Sequence, residues 1–170
     1  MTKDILNVSE IEVSYNPLIK NSPKITSPED AHKLLRPLFP DASIQLQEQF
    51  VVLYLNNSNN VIGYYLHSKG GITGTVVDVR IVLSVALKTL ATGIILAHNH
   101  PSGSMKPSEA DKLLTTKIKR GANLLDIELL DHIILSSEAF YSFTDECIRQ
   151  KSLSKSEAVY EAIGHQNNTN

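Results

Sequence analysis

The segment Ile94-Ile95-Leu96-Ala97-His98-Asn99-His100-Pro101-Ser102-Gly103 constrains this chain more than any other. Its four apolar residues are too few for a helix and read as a short core strand running directly into His98. Pro101-Ser102-Gly103 is turn chemistry, so the chain reverses after His100. Side chains of an extended segment alternate in direction, which points His98 and His100 to one side and Asn99 to the other. After seven intervening residues Ser108 opens the next helix and brings Asp111 back in its first turn. Two imidazoles and one carboxylate at this spacing form three arms of a metal site. A fourth position is left for water, which distinguishes a catalytic zinc from a structural one.

The same letters have plainer readings. Ser108 to Asp111 is also a respectable capping box, in which the serine bonds the backbone near Asp111. Glu48 stands at the edge of an otherwise apolar strand. It reads either as the base beside a metal or as a solvated strand-edge carboxylate. His132, next to Asp131 in a β-rich run, is tempting as part of a further ligand pair, but the run favours a satisfied core histidine or one that supports a ligand from behind. Asp131 could orient a ligand histidine in the same way. Asp78 and Arg80 either face substrate or form a helix-start salt bridge. His32, His67 and His165 look like surface residues, and Cys147 like a small core residue.

Around the central string the expected elements alternate. An extended segment near Ile11 to Ser14 precedes a helix with Ser27 as N-cap and Pro28 in its first turn, running to about Leu38. The run Phe50-Val51-Val52-Leu53-Tyr54-Leu55 is a buried strand. After an asparagine-rich turn, residues 61–67 form its hairpin partner. Gly70, Gly71 and Gly74 make a loop, followed by a short strand near Thr75 to Val77. A buried helix covers residues 80–91, closed by Gly93. A further helix spans residues 109–122, and a strand spans residues 127–135. Tyr141 to Phe143 extends the sheet, and a last helix, capped by Ser142 or Thr144, runs from about Asp145 to Ile163. This order predicts an α/β fold, a mixed β-sheet flanked by helices. The expected organisation is an extension over residues 1–26, one domain over 27–163, and a disordered tail over 164–170.

Composition narrows the function classes. The chain has 170 residues, 42% hydrophobic and 20% charged, with a net charge of −2. It can bury a core, and its charge does not favour nucleic acid as a partner. A single cysteine excludes an internal disulfide framework and any multi-cysteine zinc finger. It also excludes the Pro-Cys-x-x-Cys signature of zinc deaminases. With no signal-peptide pattern at the N-terminus and no membrane-length apolar run, a cytoplasmic location is expected. Despite its letters, His98-Asn99-His100 is not an HNH nuclease site, whose ββα-metal residues are spread along the chain.

The string resembles the JAMM motif of the JAB/MPN-plus metalloenzymes, and the chain is most similar to the RadC family of bacterial proteins. The matching residues are Glu48-x-Phe50, Gly74-Thr75, His98-Asn99-His100-Pro101-Ser102-Gly103, Pro107-Ser108-x-x-Asp111, Asp131-His132-x-Ile134 and Tyr141-Ser142-Phe143. The resemblance implies a JAB/MPN architecture related to cytidine deaminase. It implies one zinc ion held by His98, His100 and Asp111, with water as fourth ligand. Glu48 would be the general acid/base and Ser108 the oxyanion-stabilising residue. The implied activity is a metallopeptidase or isopeptidase acting on an unknown peptide or protein substrate. The family also carries a DNA-repair label, and some superfamily members act as binding modules, so the alternative is a DNA-repair-associated or mobile-element protein acting as a binding module with little or no peptidase turnover. Longer RadC proteins carry an N-terminal helix-hairpin-helix module. The first 25 residues here are too few for one, so a stand-alone form is expected. Residues 74–80 are shorter than in those relatives.

Overall fold

The computed structural model describes residues 22–71 and 74–145. Helix α1 (Pro28–Leu35) starts as expected, with Ser27 Oγ accepting from Asp30 N at 3.3 Å. It tightens into a 3-10 turn over Arg36–Leu38, because Pro37 has no N–H to continue the α-helical ladder. The short helix α2 (Asp41–Ile44) leads into strand β1 (Gln49–Leu55). The hairpin partner is β2 (Val61–Lys69), and Asn56 Oδ1 ties the connecting turn by accepting from Ser58 N and Asn60 N, both at 3.0 Å. Then come α3 (Val79–Lys88), β3 (Gly93–Asn99), α4 (Glu109–Asn123), β4 (Glu128–Leu135) and β5 (Phe140–Ser142).

The five strands form one mixed sheet in the order β2-β1-β3-β4-β5. All neighbours are antiparallel except β3 and β4, whose parallel pairing is bridged by α4. The expected α/β architecture, a mixed sheet with flanking helices, is the one observed. Every residue of β1 and β3 is buried, since both central strands are covered on two faces. Val51, Leu53, Leu55, Ile95 and Ala97 pack with Leu35, Phe39 and Ile44 on the α1/α2 side. Phe50, Val52, Tyr54, Ile94 and Leu96 pack with Val82, Ala86, Ile118 and Ala122 on the α3/α4 side. No helix among the described residues is long and apolar enough to cross a membrane.

Several expectations are corrected. Residues 75–77 are irregular rather than a strand; Thr75 meets β2 only through its side chain, Oγ1 donating to Ser68 Oγ at 2.8 Å. Val77 instead packs against the core on the α3/α4 side. Helix α3 is not closed by Gly93. It ends at Lys88, and Leu90 takes the left-handed conformation (φ 54) while Ala91 N donates to Ala86 O and Leu90 N to Leu87 O. That is a Schellman ending with leucine where glycine is usual. Gly93 serves β3: a Cβ there would lie 2.9 Å from Leu130 Cδ1. His67 is not a surface residue. It sits at a bulge in β2, edge-on to Phe50, with Nε2 accepting from Asp78 N at 3.0 Å and Nδ1 buried. His32 is half-buried and stacked on Phe140. Phe143, Thr144 and Asp145 turn helical, with Ser142 Oγ accepting from Asp145 N. The rest of the expected last helix, Cys147, His165, the tail and the segment near Ile11 lie outside the described residues.

Candidate metal centre

The carboxyl end of β3 brings the buried centre of the sheet to the floor of an open cleft. His98 is the penultimate residue of β3 and 1% exposed. Asn99 ends the strand, and His100 continues its line, its N–H donating to Leu135 O at 3.1 Å. The chain then reverses; Gly103 N donates to His100 O, and Gly103 adopts φ 74. Helix α4 opens with a full capping box. Ser108 Oγ accepts from Asp111 N at 3.1 Å, and Asp111 Oδ2 accepts from Ser108 N at 2.7 Å and from Ser108 Oγ at 2.6 Å.

His98, His100 and Asp111 converge, each offering one donor atom within 4.8 Å of the others. His98 Nε2 lies 3.0 Å from His100 Nε2 and 3.2 Å from Asp111 Oδ1. His100 Nε2 is 3.5 Å from Asp111 Oδ2. A tetrahedral cation with bonds of about 2.0–2.2 Å sets its donors about 3.3–3.5 Å apart, so the set fits such an ion with little adjustment.

The hydrogen-bond chain behind the two histidines fixes their tautomers. Thr115 Oγ1 is 2.6 Å from Asp111 O, a carbonyl that can only accept, so the hydroxyl proton points there. Thr115 Oγ1 must then accept from His132 Nδ1 at 2.7 Å. His132 Nε2 is left as an acceptor for His98 Nδ1 at 2.9 Å. His98 therefore presents a bare Nε2 to the centre. His100 does the same, since its Nδ1 donates to Ser104 O at 2.7 Å. Holding the far nitrogen protonated is how proteins commonly orient imidazole ligands.

The cleft over this centre holds about 480 Å³. Glu48 and Ser108 line it beside the three converging residues, together with Phe50, Val77 and Leu114. Residues 25–148 match the RadC-like JAB domain. The chain belongs to that family. A "UPF0758 protein" of Flavobacterium johnsoniae is 50% identical over 125 residues, covering 74% of this chain and 53% of the relative. One from Porphyromonas gingivalis is 37% identical over 145 residues, covering 85% and 64%. One from Methanosarcina mazei is 37% identical over 123 residues, covering 72% and 52%. The chain thus spans between about half and two thirds of the length of these curated relatives.

Charge in this RadC-like JAB domain is arranged around the cleft. Burial works against ionised Asp111, but the His100 and His98 imidazoles beside it, with the Ser108 hydroxyl, hold its carboxyl far below the usual range. The same carboxylate raises His100, against burial. A proton bound there occupies the place a cation would take. Burial raises Glu48, and the Asp111 charge adds to this, while His98, His100 and the Thr75 N–H oppose it. The net effect holds the Glu48 carboxyl above its ordinary range.

Other sequence candidates fall elsewhere. Asp131 is buried on the opposite face of the sheet, accepting from Ser142 Oγ at 2.7 Å, Thr144 N and His132 N; it braces β4 against β5 and orients no ligand side chain. Asp78 caps α3 and pairs with Arg80 at 2.6 Å, outside the cleft lining. His132 is the buried support behind His98. Sequence reasoning does not single out Thr115, although it lies one helical turn after Asp111, where i and i+4 residues share a face.

Proposed function

We propose that the chain is a zinc-dependent hydrolase of JAMM type that cleaves a peptide or isopeptide bond in a protein substrate. One observation carries this reading: two bare imidazole Nε2 atoms and a carboxylate converge under a cleft that Glu48 also lines. Nitrogen and oxygen donors in a three-residue set suit zinc with an open position. When bound, zinc polarises the scissile carbonyl and makes water nucleophilic near neutral pH.

The chain's own residues supply the rest. Glu48, with its proton affinity raised by burial, takes the proton of the attacking water and passes it to the departing amine. Ser108 Oγ stands beside Asp111 on the cleft wall. Its hydroxyl serves the oxyanion by turning from Asp111 Oδ2 to the developing charge, a donor of the kind whose loss costs about 10²–10³ in turnover. Phe50, Val77 and Leu114 give the cleft apolar walls, and Ser102, Ser104 and Lys106 give it a polar rim, a lining suited to an extended peptide. The single cysteine and near-neutral charge favour a cytoplasmic protein substrate over nucleic acid.

Metal analysis of protein purified without chelator tests the reading. About one zinc per chain is expected, lost in His98→Ala and kept in Glu48→Gln; metal-free wild-type protein overturns it. Glu48→Gln, expressed as bait in the host cell, should then retain uncleaved substrates that wild type releases.

A further inference from the structure

Asn99 lies between the two histidines and is 0% exposed. It faces away from them, on the α1/α2 side of the sheet, and all three hydrogen-bonding positions of its amide are filled. Oδ1 accepts from Gln49 N at 2.8 Å. Nδ2 donates to Gln47 O at 2.9 Å and to Ile44 O at 2.7 Å. These partners are the peptide groups on either side of Glu48, together with the last carbonyl of α2. An asparagine amide offers one acceptor group and two donors, and here each finds a backbone partner roughly 50 residues earlier in the chain, two of them buried and that of Gln47 part-buried.

We propose that Asn99 is a positioning residue for Glu48. The inference rests on the reading of Glu48 as the base. Through Asn99, one tripeptide at the end of β3 sets both halves of the site: His98 and His100 hold the metal on one face, and the side chain between them fixes the backbone that carries the base. On β1 itself, Gln49 Nε2 donates to Leu38 O at 2.9 Å and anchors the residue after Glu48. Glu48 precedes the first residue of β1, so the strand ladder does not by itself fix its peptide planes. The remaining backbone bonds of Glu48 go to the glycine loop, Glu48 N to Gly71 O at 2.9 Å and Gly70 N to Glu48 O at 2.7 Å. Those partners belong to a loop rather than to the core. Asn99 is the link between Glu48 and the buried centre of the sheet.

The test pairs Asn99→Ala with Glu48→Gln in the full chain and uses acetohydroxamate as probe, because a hydroxamate binds an open zinc and hands its proton to the adjacent base. Three quantities are read: zinc per chain, acetohydroxamate Kd of the zinc-loaded protein by calorimetry, and hydrogen exchange of the Gln49 amide in metal-free protein. Asn99→Ala should keep the wild-type zinc stoichiometry and weaken acetohydroxamate about tenfold or more, the scale expected when a group supporting a site is removed. Glu48→Gln should weaken it similarly, and the double variant no further, since residues acting as one unit are not additive. The Gln49 amide should exchange at least about tenfold faster in Asn99→Ala, having lost its buried acceptor. Wild-type hydroxamate affinity in a zinc-loaded Asn99→Ala protein, a loss that adds to that of Glu48→Gln, or loss of zinc from the folded variant overturns the inference. Wild-type affinity in Glu48→Gln instead sinks the base reading, whatever Asn99→Ala does. Asn99→Ser, whose hydroxyl still offers Gln49 an acceptor, replaces the alanine variant if that variant does not fold; loss of fold in both makes Asn99 a structural residue only.

Discussion

His98 Nδ1 donates to His132 Nε2 across 2.9 Å, from β3 to its parallel neighbour β4. His132 is fully buried, and burial, with His98 close by, depresses its affinity for protons well below the usual histidine range. It is therefore a neutral acceptor, held in one tautomer by Thr115.

That chain makes Thr115 a lever on metal affinity from behind the site. Thr115→Val keeps the shape but leaves His132 Nδ1–H without its acceptor. Zinc affinity, read by chelator competition, should fall about 10- to 100-fold, and urea denaturation of the metal-free protein should show a loss of about 1–3 kcal/mol. Unchanged affinity would mean that His98 keeps its orientation without the relay.

Asp111 caps α4, and the proposed function gives it a second job as metal ligand; the two separate by mutation. Ser108→Ala removes the side-chain acceptor for Asp111 N, so stability should drop by about 1 kcal/mol while zinc stays bound. Asp111→Asn can still accept from Ser108 N but lacks the charge, so zinc content should collapse.

Leu90 is exposed and left-handed at the end of α3. A non-glycine residue there costs about 1–2 kcal/mol, so Leu90→Gly should stabilise the protein by about 1 kcal/mol in thermal or urea denaturation. Gly93→Ala should act oppositely, because its Cβ meets Leu130. A destabilised Leu90→Gly would show that the leucine side chain contributes more by packing than it loses in strain.

Acid should weaken the tie between β2 and the start of α3. Burial depresses His67, against the Asp78 carboxylate, so its folded affinity for protons lies below the ordinary value of 6.5. The unfolded chain then protonates first. The stability contributed by neutral His67 is complete above about pH 6.5 and is lost as pH falls through that value toward the lower folded one. His67→Gln still offers Asp78 N an acceptor and does not titrate. The urea midpoint of wild type relative to His67→Gln should therefore fall between about pH 7.5 and about pH 5.5. The other histidines are common to both proteins, and a constant difference would remove His67 as the cause.

The parts of the site legible in the sequence are those set by local geometry. Strand alternation places His98 and His100 on one side, the turn residues reverse the chain, and Ser108 to Asp111 form the capping box that returns Asp111. The hidden parts depend on contacts far apart in the chain. Asn99 reads as a residue pointing away from the metal; that it grips the peptides around Glu48 depends on β1 lying beside β3. Thr115 is an ordinary polar residue until His132 arrives from β4. His67 reads as surface because its neighbours Tyr64, Tyr65 and Leu66 are indeed exposed, while the bulge turns His67 inward. Gly93 suggests a helix end because glycine usually ends helices, but here leucine takes that strain and glycine makes room for Leu130.

The bonds between Glu48 and the glycine loop have a mechanical consequence. Gly70 and Gly71 hold the backbone of Glu48, and Thr75 from the same loop meets its carboxylate, while Gly74, Thr75 and Val77 form one bank of the cleft. Whatever presses on that bank also tilts the Glu48 carboxylate. On the proposed reading of Glu48 as the base, recognition and rate are geared together, so grafting this loop from one relative to another should change both, even though the loop itself supplies neither of the proposed groups.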